Sequence, residues 1–190
     1  MAGDLRQRVL DATFAEVDAN GLARLTVEAV ATRAGSSRAT IYRHFPGGRD
    51  ELVETTLRRE VARFFDALVT AAPAEGSVVA HVSALVTGAH RLLGEHRVFQ
   101  RLLQDEAEAI APPLATVYPM IHDGLVAHLA AVLAAGGVAE GTPRERAADF
   151  GARMVLSYVG TSGARDLEDP ADVEDVVRRR ILAGVVPPGV

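Results

Sequence analysis

Apolar residues recur every three or four positions along most of the chain, and no useful length alternates strictly between apolar and polar. That period predicts helices and no sheet, an all-α protein. From Asp4 to Asn20 the stripe is Leu5, Val9, Leu10, Ala12, Phe14 and Val17, and Asn20-Gly21 supplies a left-handed stop. Two shorter periodic stretches follow, from Thr26 to Ala34 and from Ser37 to Phe45. Thr26 and Ser37 stand where a side-chain oxygen can cap the first free N–H groups. Pro46-Gly47-Gly48 breaks the chain, and Asp50 and Glu51 then open a long helix with charge that suits its N-terminal dipole. That helix is predicted to reach about residue 72 and to stop at Pro73-Ala74-Glu75-Gly76. Further helices are predicted over 77–93, 97–109 and 113–135, the last kinked at Pro119. Thr142-Pro143-Arg144-Glu145 is a capping box with proline at the first helical position, and Asp169-Pro170 repeats that logic for a last helix ending near Gly184.

Composition narrows this picture. A chain of 190 residues with 48% apolar side chains can bury a substantial core, which excludes a disordered protein. Cysteine is absent, so no disulfide framework or thiolate metal site is available, and a reducing cytoplasm is expected. No apolar run is expected to reach the ~20 residues of a membrane span; Leu125 to Ala135 comes nearest and is interrupted by His128. Asp4 stands where a signal peptide would be basic and then apolar, so no export signal and no membrane partner are expected.

The net charge of -5 is unevenly spread. Residues 1–50 hold seven arginines against six acids, and the remaining 140 hold thirteen against nineteen. An acidic chain can therefore still present a cationic face, because phosphate responds to local potential. The two short helices joined through Gly35 supply such a face: they form a helix-turn-helix, whose second helix enters the DNA major groove. At about 100° per residue, Phe45 falls within about 40° of Ile41, and the two mark the core side. Ala39, Thr40 and Arg43 then lie on the far side, Tyr42 and His44 on the flanks, and Arg38 near the helix start reaches either way. Arg38, Ala39 and Arg43 are the expected base readers, since arginine grips guanine O6 and N7 and alanine meets a thymine methyl. Thr26, Ser37, Thr40, Tyr42 and His44 supply donors suited to phosphate oxygens. Each residue alone could equally belong to an ordinary polar surface helix; the ordered array is what points to DNA.

Leu25-Thr26-Val27, Ala34-Gly35-Ser36-Ser37 and Thr40-Ile41-Tyr42-Arg43-His44-Phe45-Pro46 resemble the N-terminal domain of TetR-family transcriptional regulators over about residues 5–55. The resemblance implies that Tyr42 and His44 hold phosphates while Arg38, Ala39 and Arg43 read bases. It implies a three-helix DNA-binding domain over 1–50 and a larger helical effector-binding and dimerisation domain over 51–190. Double-stranded DNA, a second copy of the chain and an apolar small-molecule effector are the implied partners, with repression as the implied output. Two departures stand out. Ser36 occupies a position the family usually fills with an apolar residue, and Gly47-Gly48-Arg49-Asp50 is one residue longer than the family's serine-lysine-glutamate step, which leaves Arg49 as the substitute for its phosphate-touching lysine.

Beyond residue 50 the likeness is one of layout. Ala147, Phe150, Gly151, Met154, Val155 and Tyr158, with Val173, Val176, Val177 and Ile181, are the candidate dimer interface, a four-helix contact eased by small residues. The alternative is that both helices cover their own core. Phe65, His90, Phe99, Leu103, Tyr118, His122 and Leu125 are candidate effector contacts, although a lone histidine or aromatic on an apolar helix face is more often core filler. His122 and His128, like His90 and His96, are six apart and share no helix face, so no metal and no cofactor are inferred. Arg178-Arg179-Arg180 reads as a solvated last turn. No nucleotide loop, zincin motif or nucleophile elbow occurs, and Gly160-Thr161-Ser162-Gly163 reads as a helix ending, so no enzyme is expected.

Overall fold

The computed structural model describes residues 2–71, 76–136, 138–139, 141–160 and 165–185. Pro73-Ala74-Glu75, predicted as a stop, and Thr161-Ser162-Gly163 lie outside them. The described residues are all-α and contain no strand. In chain order they form α1 (Ala2–Asn20), α2 (Val27–Arg33), α3 (Arg38–His44), α4 (Gly48–Ala71), α5 (Val78–Glu95), α6 (Arg97–Asp105), α7 (Ala107–Gly136), α8 (Arg144–Gly160) and α9 (Pro170–Val176).

Three elements differ from the predicted ones. The helix expected over 97–109 ends at Asp105, because Glu106 leaves helical geometry at φ -133 and ψ 34. Its carboxylate instead accepts the Ala23 backbone N–H at 2.7 Å. The next helix then starts at Ala107 and runs on through Pro112, Pro113 and Pro119. At 30 residues, with a window of mean hydropathy 1.4, α7 is long and apolar enough to cross a membrane, which amends the expectation that no run approaches that length. Its Ile110, Val117, Leu125, Leu129 and Leu133 are buried within the protein. The chain after α9 winds into a π turn, Val177–Ile181, closed by the Leu182 N–H on the Val177 carbonyl at 2.8 Å. The extra residue lets Val177, Ile181 and Leu182 all turn inward, and all three are buried.

The chain divides into two compact units, Met1–Arg63 with His96–Tyr118, and Phe64–Glu95 with Pro119–Val190. The first extends well past residue 50, where a boundary was expected. Leu52 and Val53 of α4, Val98 and Leu102 of α6 and Ile110 of α7 share one core with Val30, Ile41 and Phe45. Polar ties reinforce it: Arg101 donates to the Val17 and Asp18 carbonyls at 2.5 and 2.6 Å, which satisfies the open end of α1. In the second unit, Val82, Leu85 and Val86 of α5 pack with Leu125, Leu129 and Leu133 of α7, Ala148 and Ala152 of α8, and Val173 and Val176 of α9.

Candidate nucleic-acid interface

The turn between α2 and α3 is set by Gly35 at φ 60, and by Gly35 and Ser36 N–H groups donating to the Thr32 and Ala31 carbonyls at 3.2 and 2.9 Å. Ser36, where the family usually has an apolar residue, is half-buried, and its backbone N–H is satisfied. Thr26 and Ser37 cap α2 and α3, accepting from the Ala29 and Thr40 N–H groups, each at 3.1 Å. A capping hydroxyl that accepts keeps its own O–H to donate. Ser37 Oγ also lies 2.9 Å from Thr40 Oγ1, so the two hydroxyls share one of those protons.

Ile41 and Phe45 are wholly buried, and they fix the rotation of α3. Ser37, Arg38, Ala39, Tyr42 and Arg43 are consequently exposed, with Thr40 and His44 half-buried at the margins. Tyr42 stands 42% exposed and is braced from beneath by the chain at Gly48. There φ is +63, and a Cβ would come within 3.0 Å of the Tyr42 ring. The added glycine of the Gly47-Gly48 step thus serves both the turn into α4 and the seat of Tyr42. The Gly47 N–H donates to Glu51 at 2.8 Å, which closes that turn.

Arg38 pairs with Glu28 of α2, whereas Arg43 has no ion-pair partner among the described residues. Arg43 is therefore the candidate base reader whose guanidinium is uncommitted. Arg49 departs from its expected place. It donates to the Leu25 and Leu22 carbonyls at 3.1 and 2.9 Å and to Asp50 at 3.2 Å. It thereby holds the α1–α2 turn through two carbonyls, besides its pairing with Asp50. Behind the reading face, buried Glu16 receives Arg33 at 2.6 Å and Asn20 at 2.7 Å. The Arg33 bond first, then that from Asn20, holds its carboxyl below the usual range, fixing α2 to α1 as a charged bridge.

The other predicted sets divide. Phe99, Leu103 and Tyr118 belong to the first unit, and Phe65, His90, His122 and Leu125 to the second. Leu125 is core, Leu103 and Tyr118 are exposed, and Phe65, His90, Phe99 and His122 are half-buried. His122 faces Asp149 of α8 at 3.2 Å. Two hollows, of about 530 Å³ beside Glu16 and Thr26 and about 360 Å³ between α5 and α9, are lined by none of the seven. Of the ten dimer candidates, Ala147, Gly151, Val155, Val173, Val176, Val177 and Ile181 are buried in their own unit, the alternative the sequence left open. Phe150, 49% exposed, faces outward, with Met154 and Tyr158 half-buried one and two turns on. Arg178 and Arg179 pair with Glu174 and Asp175 one turn back, at 2.7 and 2.6 Å. A pair the sequence did not disclose joins α5 to α7: His81 and His128 bring their Nε2 atoms within 3.1 Å. The sequence spacing of 47 hides it.

Residues 9–56 match the family model described as bacterial regulatory proteins, tetR family. An HTH-type transcriptional regulator of Mycobacterium bovis, Mb2274c, is 30% identical over 146 residues, which cover 76% of this chain and 75% of that protein. The chain belongs to the tetR family of bacterial regulatory proteins. Within the TetR family, the HTH-type transcriptional regulator BetI 2 of Chromohalobacter salexigens is 39% identical over 85 residues, 44% of this chain. The match spans 41% of that relative's length. The fold is shared with the regulator FadR of Bacillus subtilis, solved in complex with stearoyl-CoA. The TM-score is 0.58 at 17% identity, over 94% of this chain and 98% of that one. Every residue from Thr26 to Arg49 named above lies inside the TetR-family match.

Proposed function

We propose that this TetR-family chain is a transcriptional repressor that binds a palindromic operator as a homodimer and is released by an apolar small molecule. The observation that carries DNA binding is the outward array on α3: Ile41 and Phe45 are wholly buried, while Arg43, Ala39 and Tyr42 face solvent. Arg43 grips a guanine edge. Tyr42 and His44, with the Thr26 and Ser37 hydroxyls, hold phosphates on either side. Two copies engage successive major grooves, which makes the operator a palindrome. The stripe Phe150, Met154 and Tyr158 supports the dimer contact. The stearoyl-CoA bound by the Bacillus subtilis neighbour supports an apolar effector, and release follows if that ligand favours a dimer whose reading helices are out of register.

Binding to a panel of operator variants tests the array. Tyr42→Phe and His44→Ala weaken every variant alike, whereas Arg43→Ala costs ~1–3 kcal/mol at one base position and relaxes specificity there. Equal binding of Arg43→Ala to all variants and to the parent site removes the base-reading role. Thermal melting with a panel of long-chain acyl thioesters tests the effector. A melting point unchanged by every member favours a dimer that answers to abundance or a protein partner instead.

A further inference from the structure

The seven arginines of the first fifty residues are not equally committed to partners. Arg8 is held by Asp4, Arg33 by Glu16 and Arg38 by Glu28, while Arg49 is spent on Leu22, Leu25 and Asp50. Arg6, Arg24 and Arg43 remain without an acidic partner among the described residues. Arg24 sits in the turn after α1 with no side-chain support. Arg6 is different. Its guanidinium carbon lies 4.8 Å from the centroid of the Phe45 ring, over the residue that caps the C-terminal end of α3. The two acids nearest it in sequence on α1 are occupied, Asp4 by Arg8 at 2.9 Å and Asp11 by Arg59 at 2.8 Å.

We propose that Arg6 is an additional phosphate-holding residue, which carries the DNA contact of α3 onto α1. The inference rests on the DNA-binding reading of α3. A guanidinium held over a ring keeps N–H donors free at its edges and is ordered before the anion arrives. Phe45 follows directly on His44 and lies one turn from Ile41, so the cation over it stands at the C-terminal end of the reading helix. The base readers Arg38 and Ala39 occupy the other end. A cation at that end meets the backbone beside Tyr42 and His44, and its contribution is independent of sequence.

The test compares the full-length parent with Arg6→Met and Arg6→Lys. The Met variant keeps an apolar stem over Phe45 and removes the charge; the Lys variant keeps the charge. Each binds, across a salt series, a duplex recovered by selection from a random pool and a scrambled duplex of equal length. The Met variant is expected to weaken binding to both duplexes alike. Its log-affinity against log-salt slope is expected to be shallower by about 0.9 for each protomer bound. Raising salt fourfold then shrinks the parent's advantage about 3.5-fold per protomer. The Lys variant is expected to keep the parent slope. A Met variant that melts like the parent and retains the parent's slope overturns the proposal, leaving Arg6 as cover for Phe45. A parent that shows no salt-dependent binding to either duplex overturns the DNA-binding reading itself, a result distinct from the first.

Discussion

Gly48 answers to two demands at once, and they explain why the chain spends an extra residue before α4. Its φ of +63 lies in the left-handed region, and the space a Cβ would take is filled by the Tyr42 ring at 3.0 Å. A Gly48→Ala change is therefore expected to destabilise by ~1–3 kcal/mol, the usual cost of a non-glycine residue held there. It is also expected to displace Tyr42. Chemical denaturation checks the first effect, and a uniform loss of affinity across operator variants the second. Arg49 follows directly on Gly48, a position that suggests a phosphate contact. Its carbonyl partners, Leu22 and Leu25, stand 27 and 24 residues away, and nothing in local spacing announces them. Ser37 and Thr26, by contrast, were legible as caps because a cap acts on N–H groups three residues on. Ile41 and Phe45 were legible for a similar reason, since one helical turn decides which side they share.

At the scale of elements, the sequence announces helices where punctuation is local and misplaces them where tertiary contact decides. Asp169 caps α9 through the Ala171 and Asp172 N–H groups, as its sequence predicts. The break at Glu106 depends on the distant Ala23 N–H, and the π turn depends on burying Val177, Ile181 and Leu182 together. The α5–α7 pairing has a pH consequence. Burial first, then the charge of His81, holds the His128 imidazole below its ordinary value. A histidine with a depressed folded value adds stability above its unfolded value of about 6.5, and that stability is lost as pH falls through the folded value. Melting temperature is therefore expected to fall as pH drops below about 6.5, and His128→Gln is expected to flatten that fall. An identical pH profile in the variant would show that the pair does not govern acid stability.

For the whole molecule, assembly is the quantity on which the operator's symmetry depends. The seven buried candidates of α8, α9 and the π turn leave Phe150 facing outward, with Met154 and Tyr158 half-buried against their own core further along the same stripe. Their own-unit burial could not be told from an interface by periodicity, since both require an apolar face. Phe150→Asp is expected to shift the sedimentation coefficient from dimer to monomer at micromolar concentration. Its melting should change little on the monomer side, because Phe150 is exposed in the isolated chain. A dimer that persists unchanged in Phe150→Asp would move the interface away from that stripe. Operator binding, dimer symmetry and release by a ligand all depend on α3 reading DNA. Selection of bound sequences from a pool of random duplexes by the full chain tests that most directly. The expected result is enrichment of an inverted repeat whose half-sites lie about 34–36 Å or a multiple of that apart. A recovered pool no different from the input would contradict it.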